Sequence, residues 1–227
     1  MLVDRLGYEL DPPKPVEFKT SADNFGWHKA TNDKWHLLLF VEHGRVRNSN
    51  QHVLLNNIDE ANKHKIDNIL AKYDLSADAS HLSGLRRNAI ACVALNTCPL
   101  AMAEAERYLP SLITKIEPIL EKNGLLNDEI KFRMTGCPNG CGRSVMGEIG
   151  FIGKSLGRYN VYLGSSHQGD RLSKLYKENL DEKQIIEEMD ILLTDYANNR
   201  EANEHFGDYV IRAEYVKATK EGKDFHN

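Results

Sequence analysis

The chain of 227 residues is long enough for one or two domains with cores of their own. Its hydrophobic fraction of 41% and charged fraction of 27% are ordinary for a globular protein, and no run approaches the roughly 18 apolar residues of a membrane span. A net charge of -4 argues against a nucleic acid partner, whose polyanionic backbone selects basic surfaces. The opening MLVDRLGYELDPPKP carries acids and prolines where a secretory signal would be basic and then apolar, so a cytoplasmic protein with reduced cysteines is expected.

Residues 1–22, with Pro12, Pro13 and Pro15, read as an extended arm. FGWHKA from Phe25 and WHLLLFVEH from Trp35 read as paired strands around an Asn32-Asp33 turn, and QHVLLNNI over 51–58 as another strand. Ala61, Ile66, Ile69, Leu70 and Tyr73 fall on one face of a helix over 59–73, with Asn57 as its candidate cap. Residues 74–87 are polar and read as a loop. Pro99 suits the first turn of a helix whose apolar spacing runs to Asn123-Gly124, with Pro110 and Pro118 expected to break or kink it. Glu104, Glu106 and Arg107 on that stretch read as a solvated face or intrahelical ion pairs.

IKFRMTG from Ile130 reads as a strand that places Cys137 at its carboxyl end. VMGEIGFIG and YNVYLG follow as two more strands about a turn at 154–157. The spacing of Ile185, Ile186, Met189, Leu192, Leu193 and Tyr196 predicts a helix over 182–199. FGDYVIRAEYV from Phe206 is expected to close the sheet or lie on its edge, and KATKEGKDFHN to be a frayed tail. There is no internal repeat and no low-complexity tract.

All four cysteines lie within residues 91–143, as Cys92-x5-Cys98 and Cys137-x3-Cys141. Four reduced thiols in one chain point to zinc, to an iron–sulfur cluster, or to unrelated buried thiols. Zinc knuckles favour Cys-x2-Cys turns, whereas a cuboidal cluster is wider and accepts looser loops. Gly136, Pro138, Gly140 and Gly142 leave little bulk around the second pair, which would let peptide N–H groups point at sulfur. Spacing alone leaves the three readings open.

The segments ACVALNTCPLAMAEAERYLP, RMTGCPNGCGRSVMGEIGFIGKSLGRYNVYLG, LYKENL and FGDYVIRAEY resemble the carboxy-terminal half of the hemoprotein (beta) components of NADPH-dependent sulfite reductase. The likeness runs from Phe25 onward and is densest over 91–164. It implies an α+β fold of mixed and antiparallel sheets flanked by helices, the carboxy-terminal half of a nitrite/sulfite reductase-like architecture. The implied division is an arm over 1–22, a ferredoxin-like α+β half-domain over 23–80 and a cofactor-binding domain over 81–227.

By the same resemblance, Cys92, Cys98, Cys137 and Cys141 would ligate a 4Fe–4S cluster, with Cys141 also bridging to the iron of siroheme. Asn50, Gln51, Asn139 and Arg143 match positions near siroheme, and Arg143 suits one of its carboxylates. Turn or edge hydrogen bonding for the three amides, and a surface salt bridge for Arg143, are the plainer readings of those residues. The implied reaction is six-electron reduction of sulfite to sulfide, fed by a flavoprotein (alpha) component in a hetero-oligomer, with no membrane and no nucleic acid partner. A ferredoxin-fed sulfite or nitrite reductase shares the cysteine frame, and a zinc-stabilised module without redox chemistry is the reading from another class. Two departures stand out: the family places a longer segment between Val46 and Arg47, and its sulfite-binding arginines and lysines lie in an amino-terminal half that is not in this sequence. The chain alone is therefore expected to be inactive.

Overall fold

A computed structural model describes residues 23–42 and 52–226, so the arm over 1–22, the Val46-Arg47 junction, Asn50 and Gln51 lie outside the described residues. The first sheet is antiparallel, in the order β1 (Gly26–Lys29), β2 (Trp35–Leu39), β3 (Val53–Ile58). The β1–β2 turn is closed by the amide of Ala30 on the carbonyl of Lys34 at 2.8 Å, and Asp33 takes a positive φ of 61°, which a short polar side chain tolerates. The period-2 alternation of β2 turns Leu37 and Leu39 inward onto Leu70 of α1 (Lys63–Lys72), giving this sheet its own small core.

The helix expected over 59–73 is a 3-10 turn, Glu60–Asn62, followed by α1. Asn57 does not cap it. It lies inside β3 at φ 58°, beside a register shift opposite Trp35 and Leu37, and the left-handed turn of the backbone there is a bulge device. The span 74–87 is loop only until Ser83, whose Oγ accepts from the amide of Arg86 at 3.1 Å and caps the short helix α2 (Gly84–Arg87).

The second sheet has five strands in sequence order: β4 (Ala89–Ala91), β5 (Phe132–Thr135), β6 (Ile149–Ser155), β7 (Arg158–Leu163) and β8 (Lys174–Leu180). The pairs β4–β5 and β5–β6 are parallel, and the later pairs are antiparallel. Mixed and antiparallel sheets with flanking helices make this the α+β class that the sequence implies. Strands β4 and β8 were unassigned from sequence: one is only three residues, and the other is largely exposed and lacks a clean alternation.

Helices α3 (Leu109–Lys122) and α4 (Glu182–Asn199) pack together over this sheet. The helix expected from Pro99 starts ten residues later, because residues 99–108 fold as turns around the cysteine loop. Pro110 therefore stands in the first turn of α3, where its missing N–H costs nothing, while Pro118 is tolerated inside the helix. Leu109, Leu112, Ile113, Ile116 and Leu120 line its buried face, each worth about 1.5–3 kcal/mol relative to exposure. Helix α4 spans the residues predicted, and begins with a reciprocal cap in which Asp181 and Gln184 exchange side-chain and backbone bonds of 3.0 Å.

FGDYVIRAEYV corrects the expectation most clearly. It is not a strand but α5 (Phe206–Arg212), because Phe206, Tyr209 and Val210 follow helical spacing and pack against Tyr196 of α4, with ring centroids 5.4 and 5.3 Å from it for Phe206 and Tyr209. The tail likewise folds back, with Gly222–His226 forming a 3-10 turn and Phe225 stacking on Tyr162. Glu104 and Arg107 form an ion pair at 3.6 Å. Arg86 of α2 joins Glu42, in the segment after β2, through Nη1 and Glu117 of α3 through Nε at 2.9 Å and Nη2 at 2.8 Å. Among the described residues no helix is long and apolar enough to cross a membrane.

Candidate metal and cofactor site

The parallel pairing of β4 with β5 brings Cys92 beside the second cysteine pair. Ala91 faces Met134 in register, so Cys92 leaves β4 beside the start of the second cysteine loop. The amide of Cys92 donates to the carbonyl of Met134 at 3.1 Å, and the amide of Gly136 donates to Sγ of Cys92 at 3.2 Å. The amides of Met102 and Ala103 then close on the carbonyl of Gly136 at 2.8 and 3.0 Å, and Glu106 donates to the carbonyl of Cys92 at 3.0 Å. The loop from Cys92 to Glu106 thus wraps around Gly136. A Cβ on Gly136 would lie 2.6 Å from the carbonyl oxygen of Ala103, and one on Gly142 would lie 2.3 Å from that of Met134, so backbone crowding dictates both glycines.

The β5–β6 crossover carries Cys137 and Cys141. It is shorter than a helical crossover, and its return is fixed by Ser144, whose Oγ lies 2.9 Å from Thr135 Oγ1 and donates to the carbonyl of Phe151 at 2.8 Å. Cys137 is buried, Cys92 and Cys98 are half-buried, and Cys141 is exposed. Burial pushes the Cys92 thiol up, the N–H groups of Gly136 and Ala94 oppose this, and nearby Cys141 and Cys137 add to the rise. Cys98 is held in its turn by its amide on the carbonyl of Ala94 at 2.7 Å. Among the described residues, no three cysteine sulfurs lie within 4.8 Å of one another.

Beside this loop lies a basic cavity lined by Arg87, Lys131, Arg133 and Arg143, with His52 and Gln168. Arg143 reaches it from a left-handed backbone, φ 54°, that follows the turn closed by its own amide on the carbonyl of Gly140 at 2.7 Å. Asn139 is exposed on the loop and does not line the cavity. Nε and Nη1 of Arg133 are buried without hydrogen-bond partners, and burial, with the Arg143 charge adding to it, lowers its pKa to about 10. Arg87, Lys131 and Arg133 went unnoticed in the sequence. Arg133 carried a signal, since it alternates with buried Phe132 and Met134 and must face away from the core.

No family model matches the chain. It is 48% identical over 250 residues to the sulfite reductase [NADPH] hemoprotein beta-component of Bacillus subtilis (strain 168), covering 100% of this chain and 44% of that protein. The protein of the same name from Anoxybacillus flavithermus (strain DSM 21510 / WK1) is 48% identical over 247 residues, covering 98% of this chain and 43% of its own. The matched span exceeds 227 residues, so these relatives carry extra residues within it. Among solved structures, the Mycobacterium tuberculosis NirA protein superposes with a TM-score of 0.72 at 23% identity, covering 94% of this chain and 44% of that one. The chain thus spans less than half the length of the proteins it matches.

Proposed function

Because the chain belongs to the family of sulfite reductase hemoprotein beta-components and corresponds to their carboxy-terminal half, we propose that it holds a 4Fe–4S cluster on Cys92, Cys98, Cys137 and Cys141 and seats siroheme against its basic cavity. The observation that carries this reading is the wrap of the first cysteine loop around Gly136, with an amide aimed at the Cys92 sulfur. Four thiols, a sulfur-directed N–H and glycines that clear the approach form a donor set fit for a cuboidal cluster. The unmet Nε and Nη1 donors of Arg133, and the guanidinium charge of Arg143 lining the same cavity, fit the carboxylates of a carboxylate-rich macrocycle. When bound, the two groups supply single-electron transfer and an iron at which sulfite is reduced to sulfide by six electrons.

The residues of this chain do the holding and tuning. Cys141 is exposed, which leaves its sulfur open to a second group as the resemblance implies, while Cys137 is buried. The Gly136 amide stabilises charge on the Cys92 sulfur, which favours the thiolate needed for ligation. Asn139, Asn50 and Gln51 would contact siroheme by the family resemblance alone, since Asn139 stands outside the cavity and the other two lie outside the described residues. In the whole enzyme the chain acts in the cytoplasm, with a flavoprotein alpha component delivering electrons within a hetero-oligomer, and residues outside this chain bind sulfite. Alone, it does not turn sulfite over.

Anaerobic reconstitution of the chain with iron, sulfide and siroheme tests this. About four iron and four acid-labile sulfide per chain with visible absorption are expected, together with negligible sulfite reduction. Bound zinc with no retained iron would overturn the cofactor assignment, and turnover at the level of the full enzyme would overturn the division of labour.

A further inference from the structure

Away from the cysteines, Glu148, His167 and His205 each offer a ligand atom, and these three atoms lie within 4.8 Å of one another. They come from three separate pieces of chain: Glu148 just before β6, His167 in the loop after β7, and His205 at the start of α5. Glu148 is fully buried and held in place, with Oε1 accepting from the amide of Gly207 at 2.9 Å and Oε2 from that of Lys131 at 2.9 Å. Each oxygen keeps a second lone pair. Nδ1 of His167 lies 3.3 Å from Glu148 Oε2, while its Nε2 lies 3.8 Å from Glu129 Oε2. The two imidazoles stack with centroids 3.8 Å apart and planes at 7°.

We propose that Glu148, His167 and His205 form a second metal site, taking a divalent borderline ion of the zinc type. Two imidazole nitrogens and one oriented carboxylate are the donor set such an ion prefers, with a fourth position left for water. His167 Nδ1 and Glu148 Oε2 already stand at a tetrahedral edge of about 3.3 Å, but stacked rings present their in-plane lone pairs side by side, not at one point. One ring must therefore turn about Cβ–Cγ, and His205, the less buried of the two, is the one that turns. Charge favours a cation: Lys131, which lies near Glu148 and Glu129, is engaged on the carbonyl of His167. The hydrogen bonds from Gly207 and Lys131 fix the carboxylate as outer-shell contacts fix metal ligands. A bound ion would clamp α5 to the loop that runs on from His167 to Gln168 and Gly169 at the basic cavity, so occupancy would stiffen one wall of that cavity.

Free thiols also take up zinc when it is supplied to a cluster-free chain, so the test must see the imidazoles. The reduced, anaerobic chain is titrated with Zn2+ while the 15N resonances of its histidine side chains are followed, and the same titration is run calorimetrically on His205→Ala. Expected are coordination shifts for two histidines, a dissociation constant of about 10 µM or tighter, and one fewer zinc per chain in the variant. With Co2+ in place of Zn2+, the equivalent lost in the variant should lack the near-ultraviolet thiolate band. Unmoved imidazole resonances in the unsubstituted chain, equal stoichiometry in chain and variant, or a thiolate band on the lost equivalent would each overturn the site; the first holds whether or not the variant folds.

Discussion

The amide of Gly136 points at the sulfur of Cys92 from 3.2 Å, across two parallel strands and 44 positions of sequence. It links the register of a sheet to the geometry of a ligand loop, because Gly136 can sit there only while β4 and β5 pair as they do. A side chain at this position has nowhere to go, with Ala94 Cβ at 2.7 Å and Ala103 oxygen at 2.6 Å from the place a Cβ would take.

Gly136→Ala should therefore destabilise the chain by about 1–3 kcal/mol through overpacking and lower the iron retained after reconstitution. Gly124→Ala provides the contrast. Its Cβ would meet nothing within 4 Å, leaving only the penalty of φ +68°, about 1 kcal/mol, with iron content unchanged. Denaturant unfolding and iron determination on both variants check this pair of outcomes.

Arg133 carries a buried charge with two unmet donors, a cost that a ligand carboxylate would offset. Arg133→Met should leave the cofactor-free chain as stable as before or more so, while weakening siroheme binding by about tenfold, or about 1.4 kcal/mol. Thermal unfolding without cofactor and siroheme titration separate the two effects. A variant that loses stability but binds siroheme unchanged would show Arg133 to be structural.

The Arg86 bridge gives a dependence on acid. Hydrogen bonding from Arg86, and from Ser83, holds the Glu117 carboxyl below its ordinary value of 4.5. A carboxyl depressed in the folded state contributes stability that is complete above its unfolded value and is lost as pH falls through the folded one. The chain should accordingly lose stability below pH 4.5, and Glu117→Gln should be less stable at neutral pH yet show a flatter decline in acid. Urea midpoints measured from pH 6 to pH 3 would reveal a slope equal to that of the unsubstituted chain if the bridge did not matter.

The cysteines differ in burial, and their substitutions should differ too. Cys141→Ser, at an exposed position, should leave cofactor-free stability within about 0.5 kcal/mol while reducing iron and siroheme retention. Cys137→Ser, which places a hydroxyl in a buried site, should cost about 1–3 kcal/mol as well as iron. Iron content and unfolding free energy of the two proteins decide it.

Local pattern determined much of this protein. The 3.6-residue spacing of Ile185 to Tyr196 and the Asp181 cap specified α4 to its ends, since both signals act within a turn or two of chain. The alternation of β2 and β5 fixed which side chains enter the cores, and the four cysteines with their glycines marked the ligand loop. Tertiary structure decided the rest. FGDYVIRAEYV has the composition of a strand, yet it is a helix because Tyr196 offers its rings a surface at helical spacing. The residues after Pro99 are apolar at helical intervals, yet their amides are claimed by Gly136 and Cys92 instead of by a helix. Arg133 beside Arg143, and His205 stacked on His167, come together only through sheet order and helix packing, because no sequence spacing encodes a contact between distant segments.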